Sequence, residues 1–196
     1  MRNKNMAKNK EIRNISNLIK RSSDDSRLVE GVAVVFNSDS QDLGFIERID
    51  PQAITEDTIR NSDIFATLDH DKSRGILARS RYGEGTLHLE LKEDGLHYSF
   101  EAPKTQLGDE LLEYLSRGEI TTSSFAFVVD QNDGDEWYRD EKNQLRRTIK
   151  KIYRLYDVSP VFEPAYLETD CTKRKLEDIT NIDEKLNQIQ EEFEKI

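Results

Sequence analysis

Residues 28–36 form an apolar, β-branched run, Leu28-Val29-Glu30-Gly31-Val32-Ala33-Val34-Val35-Phe36, closed by the turn-forming Asn37-Ser38-Asp39-Ser40. Ile64-Phe65-Ala66-Thr67-Leu68 predicts a second strand. Leu87, Leu89 and Leu91 then alternate with His88, Glu90 and Lys92, which is the two-residue period of a half-buried strand. Glu93-Asp94-Gly95 follows, and Leu96, Tyr98 and Phe100 resume the alternation, so the two runs read as a hairpin. The period changes at 107–117, where Leu111, Leu112 and Leu115 share one side of a helix that Gly118 stops. Residues 120–130 predict another strand, Asp133-Gly134-Asp135 a loop, and residues 147–158 one long strand. Near the end, Ile179, Ile182, Leu186, Ile189, Phe193 and Ile196 are spaced 3-4-3-4-3, an a/d heptad seam of under three heptads. Such a helix either joins copies of the chain in a homo-oligomer or docks on a partner, or it packs on its own domain.

This pattern predicts an α+β fold, a mostly antiparallel β-barrel or curved sheet with flanking helices. It divides the chain into a basic flexible N-terminal arm (1–26), a central domain (27–171) and an amphipathic helical tail (172–196). The 196 residues suffice for one domain with a core. The charged share of 35% equals the hydrophobic share, and mean hydropathy is −0.78, consistent with solvated terminal segments. No apolar run is long enough for a membrane-spanning helix or a signal peptide, so a membrane or secreted protein is not expected.

Charge sharpens the division. Residues 1–23 carry seven basic side chains against Glu11, yet the whole chain has a net charge of −10. The body is therefore strongly acidic and repels phosphate backbones, which makes nucleic acid an unlikely partner. The single cysteine, Cys171, excludes an intrachain disulfide and a cysteine-based zinc cluster. It stands in Glu168-Thr169-Asp170-Cys171, where nothing lowers a thiol pKa, so a cysteine nucleophile is disfavoured. With only His70, His88 and His97, a histidine-rich metal site is hard to build, and no cofactor is expected.

The candidate chemistry lies in three places. In Thr122-Ser123-Ser124-Phe125-Ala126-Phe127-Val128-Val129, strand alternation turns Phe125, Phe127 and Val129 to a core and Thr122, Ser124 and Ala126 to the opposite, small-residue face. That face leaves room for a ligand backbone beside a hydroxyl. His70, in Leu68-Asp69-His70-Asp71, has a side chain whose pKa suits the base for a serine nucleophile. Asp157, in Tyr156-Asp157-Val158-Ser159-Pro160, sits in an apolar strand end where a carboxylate needs a partner. A carboxylate held against an imidazole fixes its tautomer and stabilises the imidazolium. Each residue also has a plainer reading: a solvated strand serine, a polar loop histidine and a strand-terminal aspartate bonded to the backbone.

Taken in order, these segments resemble the prohead (procapsid) maturation serine proteases of tailed bacteriophages, distant relatives of the herpesvirus assemblin proteases. The resemblance spans about residues 27–170. It is carried by 29–37, Leu68-Asp69-His70-Asp71, Arg74–Arg79, the Asp94-Gly95-Leu96 hairpin, Arg117-Gly118-Glu119-Ile120, Ser123–Phe127 and Asp157–Tyr166. It implies Ser124 as nucleophile, His70 as general base and Asp157 as the orienting acid. Family members usually have Gly where Ala126 stands, often Met where Ser123 stands, and often Glu where Asp157 stands. The herpesvirus relatives use a second histidine as third member, which keeps His88 and His97 as alternatives to Asp157. The implied function is a serine endopeptidase needing no metal. It would act inside the assembling procapsid in the host cytoplasm, cleaving the scaffold or the scaffolding segment of the major capsid protein, and itself. Backbone N–H groups would hold the oxyanion. The alternative is a non-catalytic scaffold or assembly module with a degenerate protease fold, which the acidic body, basic arm and heptad tail suit equally well.

Overall fold

The alternating and β-branched runs become strands in a computed structural model that describes residues 10–15, 19–23 and 26–162. In chain order these are β1 (Glu11–Ile15), β2 (Ile19–Arg21), β3 (Leu28–Val35), β4 (Ile46–Ile49), β5 (Asp63–Ala66), β6 (Ala78–Arg81) and β7 (Glu84–Gly85). There follow β8 (His88–Lys92), β9 (Gly95–Glu101), β10 (Thr122–Val129), β11 (Asp135–Arg139), β12 (Leu145–Ile149) and β13 (Ile152–Val161). Two α-helices, α1 (Glu56–Arg60) and α2 (Gln106–Arg117), complete the set with a short 3-10 turn at Lys72–Arg74.

The expected mostly sheet architecture with few helices is present, but the barrel is not closed. The described strands form three open sheets, ordered β1-β10-β13-β5-β6-β7, β11-β12-β4 and β2-β3-β9-β8. The largest ends at β1 on one side and β7 on the other, so its edges do not meet. Nor is pairing wholly antiparallel: β13 runs parallel to β5, and β12 parallel to β4.

The core is built from the inward faces that the alternation predicts. Phe125, Phe127 and Val129 of β10 join Val29, Ala33 and Val34 of β3, Tyr98 and Phe100 of β9, and Leu155 and Val158 of β13. Helix α2 adds Leu111 and Leu112. Its N-cap Thr105 accepts a hydrogen bond from the Gly108 amide, and Gly118 closes it at φ 72°, a left-handed conformation that glycine adopts without a Cβ clash. The expected hairpin β8–β9 is present, but its two turn residues are Glu93 and Asp94, because Gly95 already pairs with Lys92 as the first residue of β9.

Three segments depart from the sequence reading. Residues 11–15 and 19–21, expected within a flexible arm, are strands: β1 pairs with β10 and β2 with β3. The long strand expected over 147–158 is two strands in different sheets. The break falls at Lys150 and Lys151, whose amides both donate to the Gly134 carbonyl, at 2.8 and 3.0 Å. Helix α1 was not expected, because five residues are too few to show a helical period. It is started instead by a capping box between Thr55 and Thr58. The heptad seam at 179–196, and Cys171, lie outside the described residues. No helix among the described residues is long and apolar enough to cross a membrane.

Candidate active site

The site forms where β10, β13 and the end of β5 meet. In the β10–β13 ladder Ser124 is opposite Ser159 and Ala126 is opposite Asp157. Directly opposed residues share a face, so Ser124, Ala126, Asp157 and Ser159 all point the same way. The small Ala126 side chain leaves room over that face, and all four residues are buried. His70 enters the space from the far end of β5. The chain turns there through two consecutive left-handed residues, Asp69 at φ 58° and His70 at φ 59°. Left-handed backbone costs an L-residue about 1–2 kcal/mol, and it is held here by the Asp69 amide donating to the Pro160 carbonyl (2.9 Å) and the Asp71 amide to the Leu68 carbonyl (3.1 Å). The first bond ties the turn to β13 and the second closes the turn on itself.

Ser124, His70 and Asp157 are brought together in one line. His70 Nε2 lies 2.7 Å from Ser124 Oγ, and His70 Nδ1 lies 2.7 Å from Asp157 Oδ1. The Asp157 side chain is 2% exposed and that of His70 17%. A buried carboxylate is costly without donors. Asp157 has, besides His70, the Ser159 hydroxyl on Oδ1 and the Thr67 hydroxyl 3.5 Å from Oδ2. Thr67 and Ser159 are themselves tied together: the Thr67 amide donates to Ser159 Oγ at 2.9 Å, and the two hydroxyls are 3.1 Å apart. Asp157 is one methylene shorter than glutamate, yet it reaches the imidazole directly. Lys72 lies over the Phe65 ring, 3.5 Å from its centroid. Partial burial pulls its ammonium pKa down, against the attraction of Asp157.

The adjacent serines are separated by alternation. Ser123 faces the opposite way and its hydroxyl meets the Tyr98 hydroxyl at 2.7 Å, both groups buried. Burial pushes the Tyr98 phenol well above its ordinary pKa, so it is neutral and able to donate. Tyr98 fits because its partner strand carries Gly31: a Cβ there would stand 2.5 Å from the Tyr98 ring. His88 and His97, the alternatives for a third member, lie elsewhere. Both line a cavity of about 510 Å³ on the β2-β3-β9-β8 sheet, and His97 Nε2 is 2.9 Å from Asp94 Oδ1. Two supporting residues were not anticipated from sequence. Ser159 could have been found, since it stands two residues after Asp157 and so on its face. Thr67 carries no comparable signal, because its contacts come from a different strand.

Chemically, the line from carboxylate to imidazole to hydroxyl can move a proton from Ser124 to His70 while Asp157 stabilises the resulting imidazolium. Among the described residues no group of three or more His, Cys, Asp or Glu side chains is arranged to hold a metal ion.

A family model described as caudovirus prohead serine protease matches residues 16–183. Among solved structures, the bacteriophage T4 capsid assembly protease, gp21, is similar at 9% sequence identity and a TM-score of 0.45. The match covers 79% of this chain and 98% of that one. No curated protein matches the sequence.

Proposed function

The chain belongs to the caudovirus prohead serine protease family, and from that premise we propose that it is an active serine endopeptidase of phage capsid maturation, with Ser124 as nucleophile, His70 as general base and Asp157 as the acid that orients it. The observation that carries this reading is the pair of 2.7 Å contacts joining the three side chains. With Nδ1–H donated to Asp157, the His70 Nε2 lone pair faces the Ser124 hydroxyl. Ser124 Oγ attacks the scissile carbonyl carbon as its proton passes to Nε2, and the carbonyl oxygen takes the negative charge. Collapse of the tetrahedral adduct breaks the C–N bond, and the imidazolium returns the proton to the leaving amine. Water then attacks the acyl-serine by the same route, with His70 again taking and returning a proton. Asp157 faces the imidazole throughout, held by Ser159 and Thr67.

The substrates in this reading are the scaffold or the scaffolding segment of the major capsid protein, and the protease itself. Cleavage takes place inside the procapsid in the host cytoplasm. The domain limits 27–171, the docking role of the 172–196 tail and kinship to the herpesvirus proteases belong to the same proposal. The β1 pairing supports extending the catalytic unit back to residue 11.

Replacement of Ser124 tests the reading. Ser124→Ala should lower kcat on the co-expressed capsid protein by on the order of 10⁶, read by mass spectrometry of the cleavage products, and should abolish labelling by a fluorophosphonate. Wild-type chain that is folded yet neither cuts nor labels would instead establish the non-catalytic assembly module.

A further inference from the structure

Strand β1 covers the nucleophile's own sheet edge. β10 has two neighbours, β13 and β1, and β1 is the outermost strand of its sheet. Its register sets Asn14 opposite Ser124 and Arg13 opposite Phe125. The Ser124 hydroxyl lies 3.0 Å from the Arg13 carbonyl oxygen while also lying 2.7 Å from His70 Nε2. A hydroxyl has one proton, so the Arg13 carbonyl competes with the imidazole for it. An extended backbone thus already runs antiparallel to β10 with a carbonyl oxygen, rather than a carbonyl carbon, facing the nucleophile, the contact of a strand that occupies the edge without being set for cleavage.

Two side chains of that backbone, Glu11 and Arg13, pair with each other at 2.9 Å and each also meets a receptor of opposite charge. Glu47 of β4 takes the Arg13 guanidinium in a two-pronged contact, Nε to Oε1 at 2.6 Å and Nη2 to Oε2 at 2.9 Å. Arg147 of β12 takes Glu11 in the same way, at 2.5 and 2.9 Å. Glu47 and Arg147 are themselves joined at 2.8 Å, and Asp135 accepts from Arg147 Nε at 2.9 Å. Glu47 and Arg147 are nearly fully buried. Forked arginine–carboxylate pairs select both charge and planar shape. Residues 11 and 13 share a strand face, so the two receptors sit at the spacing of alternate residues.

We propose that β1 is an internal occupant of the peptide-binding edge of β10, and that Glu47 and Arg147 are charge-reading subsites for an extended peptide with an acidic residue two positions before a basic residue whose carbonyl meets Ser124. This rests on Ser124 as nucleophile. β1 must leave the edge before a substrate strand takes its place by β-augmentation, so the same strand that displays the specificity also holds the enzyme in check.

The test uses the full chain, wild type and Arg13→Ala, with a fluorescein-labelled peptide of residues 10–15. Arg13→Ala weakens β1 docking while Glu47 keeps Arg147 as partner. Because a filled edge lowers apparent affinity by the fraction of open sites, the peptide should bind Arg13→Ala roughly tenfold more tightly than wild type by anisotropy, and fluorophosphonate should label the variant roughly tenfold faster. The same peptide carrying Glu11→Lys and Arg13→Glu should not bind. Equal affinity for the two chains, or for the two peptides, overturns the proposal. Peptide binding with no labelling of either chain supports the peptide site and overturns the nucleophile instead. If Arg13→Ala loses its native circular dichroism, hydrogen exchange of the wild-type chain decides. Exchange of β1 amides about tenfold or more faster than those of β13 supports a releasable strand, and equal slow exchange refutes it.

Discussion

Replacing Asp157 by asparagine tests the carboxylate's part in the proposed reaction while keeping its shape. In the wild type, His70 Nδ1 lies 2.7 Å from Asp157 Oδ1 and Nε2 2.7 Å from Ser124 Oγ; the proposed reaction uses the tautomer in which Nδ1 donates to the carboxylate and Nε2 accepts. Two losses follow from Asp157→Asn. The first is charge. An imidazolium beside a carboxylate at about 4 Å, with an effective dielectric of about 20, gains about 4 kcal/mol, or about three decades of rate at 1.36 kcal/mol per decade. The second is direction. The asparagine amide can turn its N–H₂ toward Nδ1, where it stabilises the tautomer with the proton on Nε2, and that tautomer cannot take the serine proton. Together these give a fall in kcat of roughly 10³–10⁴, with the upper figure matching the same change in a well-studied Ser-His-Asp protease.

The fold should survive, because both hydroxyl neighbours can rotate. Ser159 and Thr67 donate to a carboxylate now, and each can accept from an amide instead. Single-turnover cleavage of a capsid-protein peptide, with thermal unfolding of the same sample, separates the two effects. A variant that turns over within about tenfold of wild type would remove Asp157 from the reaction. A variant that fails to fold would show that the carboxylate is needed first for the β5–β13 junction.

Ser123→Ala should keep cleavage within about tenfold of wild type, yet cost about 1–3 kcal/mol in urea unfolding, because the buried Tyr98 hydroxyl loses its partner. Arg147→Ala should destabilise the chain by about 3–5 kcal/mol, since Glu11, Glu47 and Asp135 would lose their shared cation in a buried setting; denaturant titration measures this. The carboxyl of Asp63 is held below the usual aspartate range by hydrogen bonds from Arg79, with partial burial opposing. Its stabilisation is therefore present above the unfolded-state pKa and is lost as pH falls through the folded one. Both side chains are about a third exposed, so Asp63→Asn should cost at most about 1 kcal/mol at neutral pH, and the melting curves of variant and wild type should converge in acid.

Local pattern and non-local pairing differ sharply in how far they can be read from this sequence. β3, β5, the β8–β9 hairpin and α2 announce themselves because their own residues supply the period and the stops. β1 does not. Glu11-Ile12-Arg13-Asn14-Ile15 reads as part of a polar, basic leader, and what holds it as a strand lies far along the chain, in the β10 ladder and in Glu47 and Arg147, 34 and 136 residues from their partners. Buried charges of opposite sign brought together by the fold look the same in sequence as solvated ones. The β12–β13 break is equally non-local, since it depends on the Gly134 carbonyl capturing two successive amides.

The position of Asp157 shows most clearly where alternation alone misleads. Leu155 and Asp157 are two residues apart, so an unbroken strand would send both to the core. The ladder instead sets Leu155 opposite Phe127 and Asp157 opposite Ala126, with Tyr156 inserted between the two pairs. That bulge moves the rest of β13 by one residue, and a one-residue shift exchanges the faces of a strand. Leu155 stays with Phe127 in the core, while Asp157 and then Ser159 turn toward His70. The serine could be placed by parity because β10 runs straight through Ser123, Ser124 and Phe125. The face of the acid could not be placed by parity, because it is set by a bulge that no residue of 152–161 marks in advance; only its need of a partner was legible.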